Sequence, residues 1–268
     1  GYFWRLQIAK ILQKPIRTFN HDIQIMQYII TFFAVIAGFL IALFLKPQKK
    51  KNIKLLLAFS GAFLLSLTVL HLLPELFQEG HHHHHEGEHE HRLPVGLFIM
   101  IGILFQIVLE FFSKGAEHGH VHIHTDKNDE LHHIPWLLFV SLCLHALLEG
   151  FPIQENTNLA YGIAVHHFPI AIILTLFFVN AKMEKKMIFG FMFAFALMTP
   201  LGTFLAEQMH FAQHYSKEIS AVVVGILFHI SSTIIFESNE GHKFNLAKIT
   251  MIVLGFLLAF FMEMGHSH

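Results

Sequence analysis

Long uninterrupted apolar runs constrain this chain more than any other feature of its sequence. A helix needs about 20 apolar residues to cross the hydrocarbon core of a bilayer. Eight segments of that size follow one another, at 24–45, 55–77, 94–113, 135–154, 158–181, 187–209, 219–237 and 246–264. The runs are continuous rather than alternating, which favours helices over the strands of a membrane barrel. The sequence therefore predicts an all-α polytopic membrane protein with eight transmembrane helices, numbered here as spans 1 to 8.

The spans occupy nearly the whole chain, so we expect one transmembrane domain over residues 23–268. Residues 1–22 carry Lys and Arg among spaced apolar residues, a pattern typical of an amphipathic helix at the membrane interface. Charged residues make up 14% of the 268 residues, well below the roughly 25% of soluble domains. The single cysteine, Cys143, excludes an intramolecular disulfide and a thiolate metal cluster.

The Lys and Arg residues of the loops predict the orientation of the domain. Most of them follow spans 1, 3, 5 and 7, whereas the loops after spans 2, 4 and 6 hold only Arg92 and Lys217. Because Lys and Arg accumulate on the cytoplasmic side, the odd-numbered loops are predicted to be cytoplasmic and both termini outside. We expect a multi-pass protein of the cell membrane, plasma or inner.

Histidine is the second anomaly, since 24 His exceed the 18 Lys and Arg combined. Neutral imidazole is the commonest metal ligand in proteins, so the surplus indicates metal ions. Two His-rich loops hold many of these residues: 78–93, predicted outside, and 114–134, predicted cytoplasmic. Metal capture or buffering is one interpretation of these loops, and a solvated linker is the other.

Ionisable residues inside the membrane are costly, and they therefore indicate function. In span 4, His145 and Glu149 lie four residues apart, which puts them on one helical face. Span 5 carries His166 and His167 just before Pro169, where a proline frees a carbonyl and is predicted to open the helix. Counting from a turn near residues 155–156, both pairs lie about 15 Å deep, close to the midplane.

Further polar residues are placed by the same counting. Thr199 and His229 fall at the midplane, at the centres of spans 6 and 7. Toward the outer ends lie His71, Glu75, Glu207, His210 and His214, and toward the inner end of span 3 lies Glu110. One interpretation is a relay of metal ligands leading to and from the central residues. The alternative is hydrated charge at helix ends.

These motifs resemble the ZIP (ZRT/IRT-like) family of divalent-metal transporters. The resemblance rests on HALLEG at 145–150, HHFP at 166–169, TPLG at 199–202 and HLLPE at 71–75. It implies uptake of metal toward the cytoplasm, with the ion bound between spans 4 and 5. Carried onto this sequence, it implies His145, Glu149 and His166 as ligands. The depth of His167 and His229 makes either of them our prediction for a fourth ligand. His71, Glu75 and Glu110 are the predicted outer and inner relay residues.

Three positions depart from the family pattern. Ala146 stands where many members have Asn or Ser, Ile170 where Glu is common, and Thr199 where some have a bridging Glu. We therefore expect one central metal rather than a pair. Imidazole ligands favour Zn²⁺ as the transported ion, with Fe²⁺ or another divalent transition metal as the alternative. No organic cofactor is expected.

Two other classes of function fit part of the pattern. An intramembrane zinc hydrolase would keep an open coordination position for water, and a metal sensor or storage protein would rely on the His-rich loops. The expected partners are divalent metal ions and the lipid bilayer, and the sequence leaves a homodimer open. A net charge of −1 argues against nucleic acid. A transporter rather than an enzyme accounts for most of the pattern.

Overall fold

The computed structural model describes residues 25–45, 50–78, 94–113, 134–154, 157–237 and 246–264. Residues 1–22 and nearly all of the two His-rich loops lie outside these ranges. The helices are α1 (Ile25–Leu45), α2 (Lys50–Leu67), α3 (Leu73–Gln78), α4 (Val95–Ser113), α5 (Ile134–Glu149), α6 (Thr157–Asn180), α7 (Lys185–Gln208), α8 (His210–His214), α9 (Ser216–Glu237) and α10 (Leu246–Met264). A π-helical turn, Thr68–Leu72, joins α2 to α3, and a 3₁₀ turn, Phe151–Gln154, follows α5.

Membrane-crossing length is found in six helical stretches of the described residues. They are Ile25–Leu45, Asn52–Phe77, Val95–Phe112, Asn158–Asn180, Lys185–Gln208 and Ser216–Phe236. Shorter apolar helices occupy Phe139–Ile153 and Leu246–Met262, at the positions of predicted spans 4 and 8. The prediction of an all-helical polytopic membrane protein is confirmed, while the number of eight spans and the outside termini stay predictions.

Span 4 is not a regular α-helix along its whole length. The apolar run continues to residue 154, but the α-helix stops at Glu149. Gly150 lies in a turn, and its N–H donates to the carbonyl of Leu147. Pro152 disfavours α-helical geometry in Phe151, which begins the 3₁₀ turn instead. Glu149 is therefore the last residue of α5.

Pro169 does not interrupt span 5, contrary to the expected opening. Helix α6 runs on through Pro169, since prolines are tolerated in membrane helices where neighbouring groups satisfy the backbone. The carbonyl that Pro169 cannot bond is that of Val165, next to His166. Both predicted ligands of span 5 consequently lie on an unbroken helix.

One apolar cluster joins four helices around the predicted metal ligands of spans 4 and 5. It contains Val35 and Phe39 of α1, Leu142 and Ala146 of α5, Ile170 of α6, and Phe195 of α7, with others. A second cluster joins the α2–α3 path to α6 and α9. Because lipid is as apolar as these side chains, close packing rather than water exclusion holds the helices together.

Glycines allow two helix pairs to approach closely. A Cβ added at Gly202 of α7 would collide with the carbonyl oxygen of Leu147 on α5, and one added at Gly225 of α9 would collide with that of Ile99 on α4. By contrast, a Cβ at Gly190, also on α7, would meet nothing within 4 Å. The contact between α5 and α7 therefore depends on the missing side chain of Gly202.

Candidate metal centre

Three buried side chains from two helices converge on one point. His145 and Glu149 lie on the last turns of α5, and His166 lies in the first half of α6. Each offers one ligand atom, and these atoms all lie within 4.8 Å of one another. The three residues are at most 1% exposed. Among the residues that the structure describes, this is the one group of at least three such side chains within that distance.

The one-turn spacing of His145 and Glu149 explains their contact. Residues four apart on a helix are neighbours on its surface, and Nε2 of His145 lies 3.0 Å from Oε1 of Glu149. His166 comes from α6, and its ring centroid lies 6.3 Å from that of His145. The two rings stand nearly perpendicular, at 79°, and a ring nitrogen of each lies within 4.8 Å of a carboxylate oxygen of Glu149.

His167 contacts the other oxygen of the same carboxylate. Its Nε2 lies 2.8 Å from Oε2 of Glu149 and donates a hydrogen bond to it. On its far side the His167 ring contacts Phe195 of α7, with centroids 5.5 Å apart. Glu149 is thus held from two sides, by an imidazole of its own helix and one of α6.

A hydrogen bond between helices fixes the end of α5 that carries Glu149. Oγ1 of Thr203, on α7, donates to the carbonyl oxygen of Gly150 at 2.9 Å. The glycine contact between Gly202 and Leu147 lies beside it. Sequence reasoning missed this support, because neither Thr203 nor Gly202 carries a side chain that could bind a metal. The TPLG motif at 199–202 was its only signal.

The nitrogen and oxygen donors match a transition-metal ion that is intermediate between hard and soft in its ligand preference. Neutral imidazole nitrogen and carboxylate oxygen are the common Zn²⁺ ligands besides thiolate. With neutral imidazoles the group carries one negative charge, which a divalent cation would more than balance. Burying these groups together is costly unless they are mutually bonded or bind a cation. The arrangement can therefore bind a divalent metal between α5 and α6.

His229 and Glu110 form a separate pair. Nε2 of His229, on α9, lies 2.8 Å from Oε2 of Glu110, on α4. Their side chains are 20% and 22% exposed, unlike the fully buried central group. The counting along the chain had put Glu110 at the inner end of span 3 and His229 at the midplane, whereas the structure brings the two together.

The remaining predicted residues lie on other elements. His71 lies in the π-helical turn and Glu75 in the first turn of α3, both half-buried. Thr199 is buried on α7, and its Oγ1 has no hydrogen-bond partner among the described residues. Nothing in the geometry adds these three side chains to the group of His145, Glu149 and His166.

Fold and site together define a class: a multi-pass integral membrane protein with a buried group of His and Glu side chains that could hold a divalent metal. Comparison with known proteins sharpens this. Residues 22–135 match the family model described as "ZIP Zinc transporter". The "Zinc transporter ZIP1" of Danio rerio is 24% identical over 246 residues, covering 77% of this chain and 82% of the relative. That of Takifugu rubripes is 26% identical over 248 residues, covering 76% and 82%.

A third similarity is shorter. The "Zinc transporter SLC39A7" of Mus musculus is 33% identical over 86 residues, which cover 29% of this chain and 18% of the relative. Taken together, the matches support a metal transporter of the ZIP family. Members of this family are transporters and not enzymes, so the hydrolase alternative is set aside.

Proposed function

We propose that this protein transports Zn²⁺ across the membrane toward the cytoplasm, with His145, Glu149 and His166 as its central metal ligands. The observation that carries the proposal is the convergence of their ligand atoms within 4.8 Å, fully buried, between α5 and α6. The family matches support zinc as the ion, since the relatives are named zinc transporters. Two imidazoles and one carboxylate suit Zn²⁺ better than Mg²⁺ or Ca²⁺.

His167 is assigned a positioning role in this proposal. Its Nε2 donates to Glu149, so the nitrogen that faces the site is already engaged. Holding one carboxylate oxygen leaves the other, Oε1, directed toward His145 and the ion. Residues that orient ligands in this way tune the metal affinity of the site.

The path of the ion is inferred from the polar residues away from the centre. His71 and Glu75 are proposed to lie on the outer approach, and Glu110 with His229 on the inner exit. Transport would alternate access to the centre between the two sides, as in other secondary transporters. The eight-span topology with both termini outside remains part of the proposal, and impermeant maleimide labelling of single cysteines in a Cys143→Ser background would test it.

Zinc uptake into proteoliposomes tests the central assignment. Wild-type protein should take up Zn²⁺, whereas His145→Ala and Glu149→Ala should fall to the rate of protein-free liposomes. The matched control is Glu184→Ala, an exposed carboxylate before α7, which should retain wild-type uptake. Equal uptake by all four proteins would overturn the assignment.

A further inference from the structure

The short helix α8 presents two histidines that the central site does not use. Its sequence is His210-Phe-Ala-Gln-His214, and backbone bonds from Gln213 to Met209 and from Tyr215 to Phe211 give it α-helical geometry. Both histidines are exposed. Because residues four apart lie on one helical face, the two histidines lie on the same side of α8, where the His214 ring contacts that of Tyr215 edge-on with centroids 4.7 Å apart.

The other faces of α8 show which side meets the surroundings. Ala212 is 4% exposed and packs toward the protein, at about 160–200° around the helix from the two histidines. Phe211 and Tyr215 occupy a third side, with ring centroids 4.8 Å apart, and both are exposed. Tyr is one of the two residue types enriched at the membrane–water interface. The histidine face is exposed as well and points away from the buried Ala212.

We propose that His210 and His214 form a second divalent transition-metal site, on the surface of α8. Two imidazoles one helical turn apart are the arrangement by which a helix supplies a pair of ligands to Zn²⁺. Water completes the coordination, so the site is open and exchanges its ion readily. Zn²⁺ and other ions that prefer imidazole are its ligands, and Mg²⁺ and Ca²⁺ are not.

The position of α8 suggests a use for this site. α8 connects α7 to α9, and it lies beside a cavity of about 90 Å³ lined by Phe151, Ala212 and Ser216, among others. Phe151 follows Glu149 by two residues, so α8 lies at the α5–α6 turn end of the helices. Collecting ions at that end rests on the proposed function, whereas the binding itself does not.

Residue-resolved protection tests the site in the full-length protein. Diethyl pyrocarbonate modifies unliganded histidines, and peptide mass spectrometry reports the rate at each position. Added Zn²⁺ should slow modification of His210 and His214 with one shared Kd, by about tenfold at ten times that Kd, because the unliganded fraction falls by mass action. Mg²⁺ at the same concentration should protect neither residue.

Variants separate this site from the central one. In His210→Gln, zinc should no longer protect His214, and in His214→Gln it should no longer protect His210. Gln208→Ala, a change at an exposed neighbour, should retain both protections, and so should Glu149→Gln. Protection of His214 that persists in His210→Gln, or modification rates unchanged by zinc in the wild type, would overturn the proposal whatever the result of the uptake assay.

Discussion

Thr203 donates a hydrogen bond from Oγ1 to the carbonyl oxygen of Gly150, and the 2.9 Å contact joins α7 to the residue directly after Glu149. The same helix pair meets through Gly202, whose missing side chain leaves room for the carbonyl of Leu147. The geometry of the candidate metal centre thus depends on a contact that contains none of the proposed metal ligands.

Gly202→Ala should destabilise the protein and disturb the centre. The added methyl would collide with the Leu147 carbonyl, and such overpacking costs about 1–3 kcal/mol. Thermal unfolding in detergent, followed by the helical signal in far-UV circular dichroism, would measure the effect. Gly190→Ala on the same helix is the control: it meets no neighbour and should be neutral or stabilising by up to about 1 kcal/mol. A Gly202→Ala protein as stable as Gly190→Ala would contradict the close contact.

His167→Ala should weaken zinc binding more than His167→Gln does. Alanine removes the donor to Oε2 of Glu149. Loss of a partner that orients a metal ligand typically lowers metal affinity by about 10–100-fold. Glutamine places an amide N–H near the position of Nε2 and should recover part of the loss. Zinc titration of the purified variants with a competing fluorescent chelator gives the two Kd values. Equal Kd values for both variants would rule out the positioning role.

The pair of Glu110 and His229 should couple α4 to α9 energetically. Their 2.8 Å contact is mostly shielded from solvent, so its contribution should be about 1 kcal/mol. A double-mutant cycle of Glu110→Ala and His229→Ala, read by the free energy of unfolding in denaturant, isolates this term. Strictly additive effects of the two changes would show that the contact contributes nothing.

Zinc affinity should fall as the pH is lowered. Imidazole binds metal only when the ligating nitrogen has no proton, so protons compete with the ion. Between about pH 7.5 and about pH 5.5 the Kd should rise, with a limiting slope of about two protons per ion for His145 and His166. His145→Ala should lower that slope by about one proton. A Kd that does not change over this range would argue against imidazole ligands.

Local chemistry was predictable from the sequence. A spacing of four residues placed His145 and Glu149 on one face of a helix, and the 3.0 Å distance between them is what one turn allows. Continuous apolar runs likewise predicted the membrane helices, because the length and composition of a segment do not depend on the rest of the chain.

Contacts between distant segments were not predictable in the same way. Glu110 and His229 are 119 residues apart, and depth counting put them at different levels because it assumes straight, equally inclined helices. The change from α-helix to 3₁₀ turn near the end of span 4 was not predictable either, since Phe151 and Ile153 continue the apolar run beyond Glu149. Both differences arise from packing and turn geometry, which a hydropathy pattern does not record.

The π-helical turn Thr68–Leu72 has a consequence for relating the two ends of the second span. Such a turn accommodates one more residue than an α-helical turn, which is equivalent to inserting a residue into an otherwise regular helix. A helical wheel drawn through the whole span would therefore rotate Glu75 by about 100° from its true direction relative to Ala58. A helical wheel that treats this span as a regular α-helix will therefore assign Glu75 to the wrong side of the helix.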